Sequence, residues 1–404
     1  MRSLLDMLLE QLINDFQLNE NHVIKIIDKI GNGIISEKKL LRGFNDVECE
    51  AILKVLVEGG VIKESYRYYC PIDDDFIDYD GIIHDFVECE NCGSKLLQNE
   101  HKIIKIYQNN GNNLLNLIQE YKNAHILKFI DKSYFLNLEE LKNDIKNGTV
   151  VPFLGAGVSI PLGLPNWSGL IENCGVGLDN EQDEEFKDYL KDGKIFDAIR
   201  YFLDHSKTYN LLKFKEKISS YIDEKYVKEN DHSKHNILDI VNLNPDFYIT
   251  TNYDSALKDY TNNHQLLLQE ITNMQAFLTN PKGKIIHLHG MDYRPETMIV
   301  SKEDYDEMYS KESLKNLFSN ILTKKLMFIG YSFDDDYFVE MYESLIKDLK
   351  GEHYIILFDV KEQYEKKLLE SNLKVINLKL KKNRENYNRV GILKEVFKFV
   401  SADV

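Results

Sequence analysis

Short apolar runs alternate with helix-like stretches through the second part of the chain, and four of the runs end in a glycine or polar cluster. The four pairs of run and cluster are Thr149–Leu154 with Gly155–Gly157, Asp246–Ile249 with Thr250–Asp254, Lys284–Ile286 with His287–Gly290, and Leu326–Ile329 with Gly330–Asp334. This pattern predicts a doubly wound parallel sheet, because buried parallel strands read as short continuous apolar runs. Ligands of such sheets bind beyond the carboxyl ends of the strands. The four clusters are therefore predicted to meet in one crevice.

The glycine cluster after the first run suits a phosphate group. Gly155, Ala156 and Gly157 carry little or no side chain, so the backbone can approach an anion closely, and Ser159 follows at once. The third glycine of the dinucleotide-binding fingerprint is missing, since Ile160 stands in its place. This cluster alone therefore does not identify a nucleotide site.

Taken together, the clusters resemble the motifs of the sirtuin (silent-information-regulator) family, which binds NAD and breaks its nicotinamide–ribose bond. In family order, the motifs are Gly155–Ser159 continued by Gly163-Leu164-Pro165, then Thr251–Asp254, then His289-Gly290, then Gly330–Ser332. The resemblance covers roughly residues 138–400 and is to the sirtuin-like NAD-consuming effectors of bacterial anti-phage systems in particular. It implies an α/β fold, with a Rossmann-like parallel sheet and flanking helices.

The resemblance also implies roles for the residues of these motifs. Asn252 and His289 would be catalytic: Asn252 positions the attacking group, and the imidazole of His289 accepts a proton as general base. The backbone N–H groups of the glycine cluster would hold the NAD pyrophosphate at a helix N-terminus. The residues expected to bind NAD are Gly155, Ala156, Gly157, Ser159, Thr251, Asp254, Gly330 and Ser332.

Several of these positions also have a structural interpretation, and further candidates lie nearby. Asn252 could form an Asx turn at a strand end, and Asp254 could serve only to orient its neighbours. His287 lies two residues before the expected general base, on the same face of a strand, and is a second candidate. Asp359 ends a predicted strand over His353–Phe358 and could bind the adenosine ribose.

The chain departs from the protein deacylases of the family in two ways that affect the reaction. Deacylases carry a four-cysteine zinc ribbon after the catalytic histidine, but no cysteine occurs between His289 and Gly330. After Gly163-Leu164-Pro165, where the family continues with Asp-Phe-Arg, the chain reads Asn166-Trp167-Ser168. Trp167 could close over the nicotinamide or belong to the core. Without a peptide-binding region, water is the favoured nucleophile, which predicts an NAD hydrolase (NADase) that releases nicotinamide and ADP-ribose.

Two other functions stay open at this point. One is an NAD-dependent transferase, either a deacylase or an ADP-ribosyltransferase, and the other is a scaffold that senses NAD or ADP-ribose without turnover. An enzyme that depletes NAD must be controlled, so the resemblance implies a regulated effector. It also implies a homo-oligomer and a partner protein such as a translocase-type ATPase.

The first 95 residues are predicted to form a separate, winged-helix-like α+β module. Apolar residues at helical spacing predict helices over Leu4–Phe16, His22–Ile30 and Asp46–Val57, the last with Asp46 as N-cap. Val61–Cys70 is rich in β-forming residues, and helices followed by a hairpin are typical of a winged helix. Residues 1–90 hold 9 Lys and Arg against 19 Asp and Glu, a net charge of −10. A DNA reader needs the opposite sign, so this module is predicted to contact protein rather than nucleic acid.

Cys89 and Cys92 have the spacing of a zinc knuckle, and Gly93 suits its turn. A closed zinc site needs two more ligands, for which Cys70 and His84 are the nearest candidates. The half-knuckle therefore predicts either a structural zinc site or a pair of unligated cysteines.

Composition limits the remaining possibilities. The chain has 404 residues and a net charge of −16, which argues against nonspecific binding to nucleic acid or to an anionic membrane. No apolar run approaches the length of a membrane span. Five cysteines are an odd number and form no disulfide framework, which predicts a cytoplasmic protein. The predicted order is the module at 1–95, a helical connector at 96–137 and a sirtuin-like NAD-binding domain at 138–404.

Overall fold

The computed structural model describes residues 10–11, 20–31, 33–40, 42, 45–98, 100–110, 114–271, 273–310, 324–331, 352–360, 364, 366, 368, 373–380 and 389–401. Most of the predicted helix Leu4–Phe16, and the predicted NAD contact Ser332, lie outside these residues. The chain divides into two compact units, residues 1–125 and 126–404. None of the helices in the described part of the chain has both the length and the apolar character that a membrane span needs.

The first unit is a small α+β structure around an antiparallel sheet. Its elements are helix α1 (Glu20–Gly31), strand β1 (Ile35–Ser36), helices α2 (Glu37–Leu40) and α3 (Asp46–Glu58), strands β2 (Ile62–Cys70), β3 (Asp75–Tyr79) and β4 (Lys102–Asn109), and helix α4 (Leu114–Ile126). The strand order is β1-β4-β2-β3. Three helices followed by a hairpin give the α+β character that the sequence predicts. The side chain of Asn45, rather than Asp46, caps α3, since its Oδ1 accepts the Val47 N–H at 3.0 Å.

Strand β4 completes the sheet of this unit from within the segment that was predicted to be a helical connector. It pairs with β2 along a continuous antiparallel register that runs from Ile62 opposite Asn109 to Tyr69 opposite Lys102. β4 also pairs with β1, so it lies in the middle of the sheet. The limits predicted at residues 95 and 138 stay predictions.

The second unit contains a seven-stranded parallel sheet. Its strands are β5 (Val150–Leu154), β6 (Phe247–Thr250), β7 (His264–Leu267), β8 (Lys284–His287), β9 (Lys325–Ile329), β10 (His353–Phe358) and β11 (Leu373–Leu378). Their order is β11-β10-β9-β5-β6-β8-β7, and every described pair is parallel. All residues of β5 and β6 are buried, as expected for strands with both faces covered. The predicted Rossmann-like α/β fold is confirmed.

Helices surround this sheet. The described helices of the unit are α5 (Phe135–Lys146), α6 (Trp167–Cys174), α7 (Asn180–Lys191), α8 (Ile195–His205), α9 (Leu211–Lys225), α10 (Ile237–Val241), α11 (Ala256–Thr261), α12 (Met274–Thr279), α13 (Lys302–Ser310) and α14 (Arg389–Val400). Helices α6 to α9 lie between β5 and β6 in the chain and form a core of their own around Phe186, Phe202 and Phe214. This helical insertion supplies one wall of the site described below.

Strand β5 marks the point where the strand order reverses. From β5 the chain adds β6, β7 and β8 on one side of the sheet and then returns to the other side with β9, β10 and β11. A crevice opens at such a switch point because the connections leave in opposite directions, and ligands bind there. The loops after β5, β6 and β9 therefore lie at the position where this fold binds ligands.

Candidate functional site

The four predicted clusters follow four neighbouring strands, β9, β5, β6 and β8. Residues of all four clusters line one cavity, and His289 is the lining residue from the cluster after β8. The cavity has a volume of about 1050 Å³, at the upper end of the range typical of small-molecule sites. The predicted site residues that line it are Ala156, Gly157, Ser159, Thr251, Asn252, Asp254, His289 and Gly330. Gly155 precedes the lining residue Ala156 in the chain and does not itself line the cavity.

The glycine cluster after β5 packs closely against the loop after β9. A Cβ on Gly155 would lie 2.7 Å from the Tyr331 ring, and a Cβ on Gly157 would lie 2.8 Å from Gly330 Cα. The two glycine N–H groups donate to the carbonyls of Ile329 and Gly330, at 2.9 and 2.8 Å. These glycines are therefore required by the protein's own backbone, and both N–H groups already have acceptors.

The chain after the glycines forms two short 3-10 turns, at 156–158 and 160–162, in place of the expected α-helix N-terminus. A full helix dipole is therefore not directed at the cavity from this loop. Phosphate binding by the glycine cluster stays a prediction.

Asn252 is fixed by two hydrogen bonds from its side-chain amide nitrogen. Nδ2 donates to Gly155 O and to Ser159 Oγ, each at 3.1 Å. Because a backbone carbonyl can only accept, the atom facing Gly155 is the nitrogen, and the amide orientation follows. The oxygen Oδ1 is thus the side-chain atom that Asn252 has left to offer a ligand.

The buried carboxylate of Asp254 holds Ser159 in this arrangement. Ser159 Oγ donates to Asp254 Oδ2 at 2.9 Å, and the other carboxylate oxygen accepts the Ala256 N–H at 3.0 Å. Burial raises the pKa of Asp254, and these hydrogen bonds act against that shift. Asp254, Ser159 and Asn252 form one hydrogen-bonded chain, in which the Ser159 hydroxyl already donates its hydrogen to Asp254.

Two further contacts hold the β6 loop in place. His287 Nδ1 lies 2.9 Å from the carbonyl of Asn252, and its Nε2 lies 3.0 Å from the Gln265 amide nitrogen. Since a carbonyl can only accept, Nδ1 of His287 carries a proton, and burial lowers the pKa of His287 to about 4, so the ring is neutral near pH 7. Thr251 Oγ1 lies 3.0 Å from the Tyr331 hydroxyl, which in turn donates to Leu154 O at 3.0 Å. His287 thus positions the loop that carries Asn252.

His289 sits in a buried aromatic setting at the cavity. Its Nε2 lies 2.7 Å from the Tyr309 hydroxyl, and Tyr309 stacks on Tyr305 with ring centroids 4.1 Å apart. Burial lowers the pKa of His289 to about 3, so the imidazole is neutral at physiological pH. The imidazole is therefore a weaker base than the predicted general base near neutral pH.

Gly290 makes the turn after His289 possible. Its φ is +91°, and a Cβ there would lie 2.3 Å from the carbonyl oxygen of Thr297. The Ile299 N–H donates to His289 O at 2.8 Å, which fastens the following loop to this turn. The backbone of residues 297–299 therefore packs closely against His289 and Gly290.

Sequence reasoning missed several residues around the cavity. Arg389, Phe358 and Asn236 line it but belong to no recognised motif, and Tyr309 comes from a helix outside all four clusters. Tyr331 stands inside the Gly330–Asp334 cluster, so its motif could have identified it. These additions come from helices and strands that meet only in three dimensions.

Two further candidates from the sequence have clear positions. Trp167 lines the cavity and packs against Tyr253 at 5.8 Å between ring centroids, so it belongs in part to the core, and its closure over the nicotinamide stays a prediction. Asp359 adopts a positive φ of 46° and accepts the Leu380 N–H, and it is absent from the lining residues in the described part of the chain.

A second convergence of side chains lies in the first unit. Cys70, Cys89, Cys92 and His101 each offer a ligand atom within 4.8 Å of the others. Of the two further ligand candidates from the sequence, Cys70 belongs to this group and His84 does not; the histidine of the group is His101. The backbone N–H of Ser94 contributes most to lowering the pKa of Cys92, to about 6. The four residues form a possible metal-binding cluster.

Comparison with known proteins agrees with this fold. Residues 246–376 match the SIR2-like domain family. The chain is 23% identical over 227 residues to NAD(+) hydrolase ThsA of Acinetobacter baumannii (strain 532279), covering 54% of this chain and 44% of that protein. It is 26% identical over 205 residues to NAD(+) hydrolase ThsA of Cytobacillus dafuensis, covering 49% and 38%. It is 22% identical over 233 residues to that of Bacillus cereus (strain MSX-D12), covering 55% and 46%.

The fold and site define an α/β domain of the Rossmann-like class with a ligand crevice at its switch point. Within that class, residues 246–376 match the SIR2-like domain family, and this span includes the motifs Thr251–Asp254, His289-Gly290 and Gly330–Ser332, which supports the resemblance drawn from them. The chain spans less than half the length of the curated relatives it matches.

Proposed function

We propose that this chain is an NAD hydrolase, which breaks the nicotinamide–ribose bond of NAD with water to give nicotinamide and ADP-ribose. The observation that carries the proposal is the convergence of Asn252, with its free oxygen, and His289 on one cavity at the switch point. The names of the relatives, NAD(+) hydrolase ThsA, support the same activity.

In this mechanism Asn252 positions the nucleophile. Its Nδ2 is held by Gly155 O and Ser159 Oγ, so Oδ1 accepts a hydrogen bond from the attacking water or from a ribose hydroxyl. Asp254 keeps the serine hydroxyl turned so that its lone pair faces Asn252. Thus Asp254 and Ser159 act as positioning residues, and the geometry of the water depends on all three.

The reaction balances with one water molecule and releases one proton. The C1′–N bond of NAD breaks, and the nicotinamide nitrogen takes the electron pair and leaves neutral. The water oxygen forms the new C1′–O bond and loses a proton. His289 is the neutral acceptor at the cavity, and the negative pyrophosphate of the substrate would favour its protonated form.

A positive charge is available for the pyrophosphate away from the glycine cluster. Arg389 lines the cavity at the first residue of α14, with its guanidinium carbon 5.4 Å from the centre of the Phe358 ring. Guanidinium groups bind phosphates through paired N–H donors. Since the N–H groups of Gly155 and Gly157 are engaged, we assign Arg389 a phosphate-binding role.

Water rather than a peptide is the proposed nucleophile because the helical insertion occupies the wall of the cavity. Trp167, Leu170 and Ile195, from α6 and α8, line it. The chain between His289 and Gly330 lacks the cysteines of a zinc ribbon. Neither feature offers an extended groove for an acyl-lysine peptide.

The wider role follows from the resemblance to defence effectors. We propose that the enzyme depletes NAD when it is triggered during phage infection and acts in the cytoplasm as a homo-oligomer. A translocase-type ATPase remains the proposed kind of partner. Light scattering of the purified chain tests the first part, and a monomer at every concentration would contradict the oligomer.

The test of the activity is release of nicotinamide from NAD by the purified chain, with ADP-ribose measured in the same samples. We expect equal amounts of both products from the wild type, and a loss of at least about a hundredfold in Asn252→Ala and in His289→Ala. His264→Ala is the matched control, since His264 is an exposed histidine at the start of β7.

Other outcomes distinguish the alternatives. Nicotinamide without equal ADP-ribose, together with label transferred from NAD to protein, would support a transferase. NAD that binds, measured by calorimetry, and is recovered unchanged would support a sensing scaffold. If NAD does not bind, the proposal is overturned.

A further inference from the structure

The Cys/His cluster of the first unit (Cys70, Cys89, Cys92 and His101) is assembled by the sheet. Strands β2 and β4 are paired as far as Tyr69 opposite Lys102, so the next positions in that register are Cys70 and His101. Two residues that lie far apart in sequence thus stand side by side at the end of one ladder. The other two ligands come from the Cys89–Cys92 turn, which closes over this end.

The turn has the backbone of a metal knuckle. The Gly93 N–H donates to Cys89 O at 2.8 Å, and the Cys89 N–H donates to Ser94 O at 2.7 Å. Gly93 has a φ of +67°, a conformation that favours glycine. This folding-back of the chain directs both sulfur atoms toward the same point.

The distances fit a tetrahedral ion. With Zn–S near 2.3 Å and Zn–N near 2.0–2.1 Å, the edge between a sulfur and a nitrogen ligand is about 3.6 Å. Cys92 Sγ lies 3.5 Å from His101 Nε2, and all four ligand atoms lie within 4.8 Å of one another. The separation of Cys92 and His101 therefore matches that of two ligands on one zinc ion, and the other two sulfur atoms lie close enough to complete the set.

No disulfide accounts for the convergence of these groups. All five cysteines of the chain are free, so no disulfide uses the three sulfurs. The Nε2 of His101 faces the Cys92 sulfur at 3.5 Å, and its buried Nδ1 has no hydrogen-bond partner among the described residues. An imidazole buried in this way costs free energy, which a metal ion bound at Nε2 would offset in part.

The small size of the core around the cluster also favours a bound metal ion. Its buried residues are Tyr68, Cys70, Val87, Cys89 and Leu96, so two of the five are themselves cluster members. A core of this size supplies little hydrophobic stabilisation, and small modules of this kind commonly depend on a metal. The segment between β2 and β4 is mostly turns, which bury little apolar area.

We infer that Cys70, Cys89, Cys92 and His101 bind one structural zinc ion, which closes the segment between β2 and β4 over the sheet. Three thiolates and one imidazole leave no open coordination position, so the ion has no catalytic role. Soft sulfur ligands in a tetrahedral arrangement favour zinc over magnesium or calcium. The site lies in a different unit from the crevice at the switch point of the sheet, and the inference does not depend on the proposed activity.

The first test is the zinc content of the full chain, purified from zinc-supplemented cultures and measured by inductively coupled plasma mass spectrometry. We expect about one zinc per chain in the wild type and nearly none in Cys89→Ser or His101→Ala. Cys49→Ser and His84→Ala are the matched controls, since both residues lie in the same unit outside the cluster, and both variants should keep the metal. A wild type without zinc would overturn the inference, as would zinc loss in His84→Ala with retention in His101→Ala.

The second test does not depend on variants that fail to fold. Wild-type chain unfolded with chelator and refolded with Co²⁺ should give the intense visible spectrum of tetrahedral cobalt bound to thiolates. His101→Cys should keep the metal and gain thiolate-to-cobalt absorbance, because a fourth sulfur replaces the imidazole. A weak six-coordinate spectrum, or an unchanged spectrum in His101→Cys, would contradict the assigned ligand set.

Discussion

The crevice at the switch point of the sheet and the Cys/His cluster both gather polar side chains from distant parts of the chain, but they do so by different means. In the crevice, the residues of the four clusters follow buried strands of a seven-stranded sheet, and glycines of their loops, such as Gly155 and Gly290, leave no room for a Cβ atom. In the cluster, two residues stand at a ladder end and two on a turn, above a core of five buried residues.

The difference can be read from one glycine in each region. Gly290 in the crevice and Gly93 in the cluster both have positive φ, at +91° and +67°. A Cβ on Gly290 would meet the Thr297 carbonyl at 2.3 Å, whereas a Cβ on Gly93 would meet nothing within 4 Å. The turn at Gly290 is thus fixed by close packing, whereas the turn at Gly93 is constrained by its positive φ and its own hydrogen bonds.

The largest effect is expected from Gly290→Ala. Backbone strain and overlap with the Thr297 carbonyl should lower the free energy of unfolding of the second unit by about 3–5 kcal/mol. Urea unfolding followed by the fluorescence of Trp167, the single tryptophan, reports on this unit alone. Gly177→Ala is the control, since Gly177 also has a positive φ but faces open space. Equal losses in the two variants would contradict the role of packing.

A pH effect comes next in size. Burial lowers the pKa of His287 to about 4, against about 6.5 in an unfolded chain. Between these values the unfolded state takes up a proton that the folded state refuses, so stability falls as the pH drops from 6.5 to 4. The loss from this group approaches about 3 kcal/mol at pH 4.

His287→Gln should therefore flatten the dependence of the urea midpoint on pH in that window. His289 shifts in the same direction and remains in the variant, so part of the slope should persist. His264→Gln, at an exposed position, should leave the slope unchanged. A slope that does not respond to His287→Gln would mean that the ring is protonated in the folded chain.

Tyr309→Phe should produce a smaller effect, on catalysis. The Tyr309 hydroxyl is 2.7 Å from His289 Nε2, and its removal frees the imidazole from one fixed orientation. We expect kcat for NAD cleavage to fall about tenfold, or roughly 1.4 kcal/mol, with KM nearly unchanged. Tyr293→Phe, at an exposed tyrosine, is the control. An increase in kcat would instead mean that the hydroxyl blocks the base in the resting enzyme.

The smallest effect is expected from Gly93→Ala. The new methyl group meets no other atom, so only the positive φ is unfavourable, and the free energy of unfolding should fall by about 1 kcal/mol. Hydrogen exchange in peptides spanning residues 85–100 should rise slightly, while the zinc content stays at that of the wild type. Complete loss of the metal would show that this turn is as tightly determined as the one at Gly290.

The crevice could be predicted from the sequence because its residues sit at strand ends. The predicted strand His353–Phe358 has the bounds that the structure gives, and the runs before Thr250 and His287 differ by one residue at their ends. Buried parallel strands are continuous in hydrophobicity, and the fold brings their carboxyl ends together. For these strands, the hydrophobic pattern of the sequence therefore also predicts where the residues that follow them lie in the fold.

Residues placed by tertiary contacts alone could not be predicted in this way. His101 has no Cys-x-x-His spacing; it becomes a cluster member only because β4 pairs with β2. Tyr309 reaches His289 from a helix whose sequence shows no motif. The engaged N–H groups of Gly155 and Gly157 also depend on a neighbouring strand, β9, from much later in the chain.

The antiparallel register between β2 and β4 has a practical consequence. The β2–β4 ladder runs to Tyr69 and resumes from Lys102 directly opposite, so the chain leaves and re-enters this ladder at one point. The segment between them holds the Cys89–Cys92 turn and β3, which pairs with the other side of β2. Exchanging the segment for a short turn would keep the β1–β4 and β4–β2 ladders but remove the β2–β3 ladder, so β2 would become an edge of the sheet.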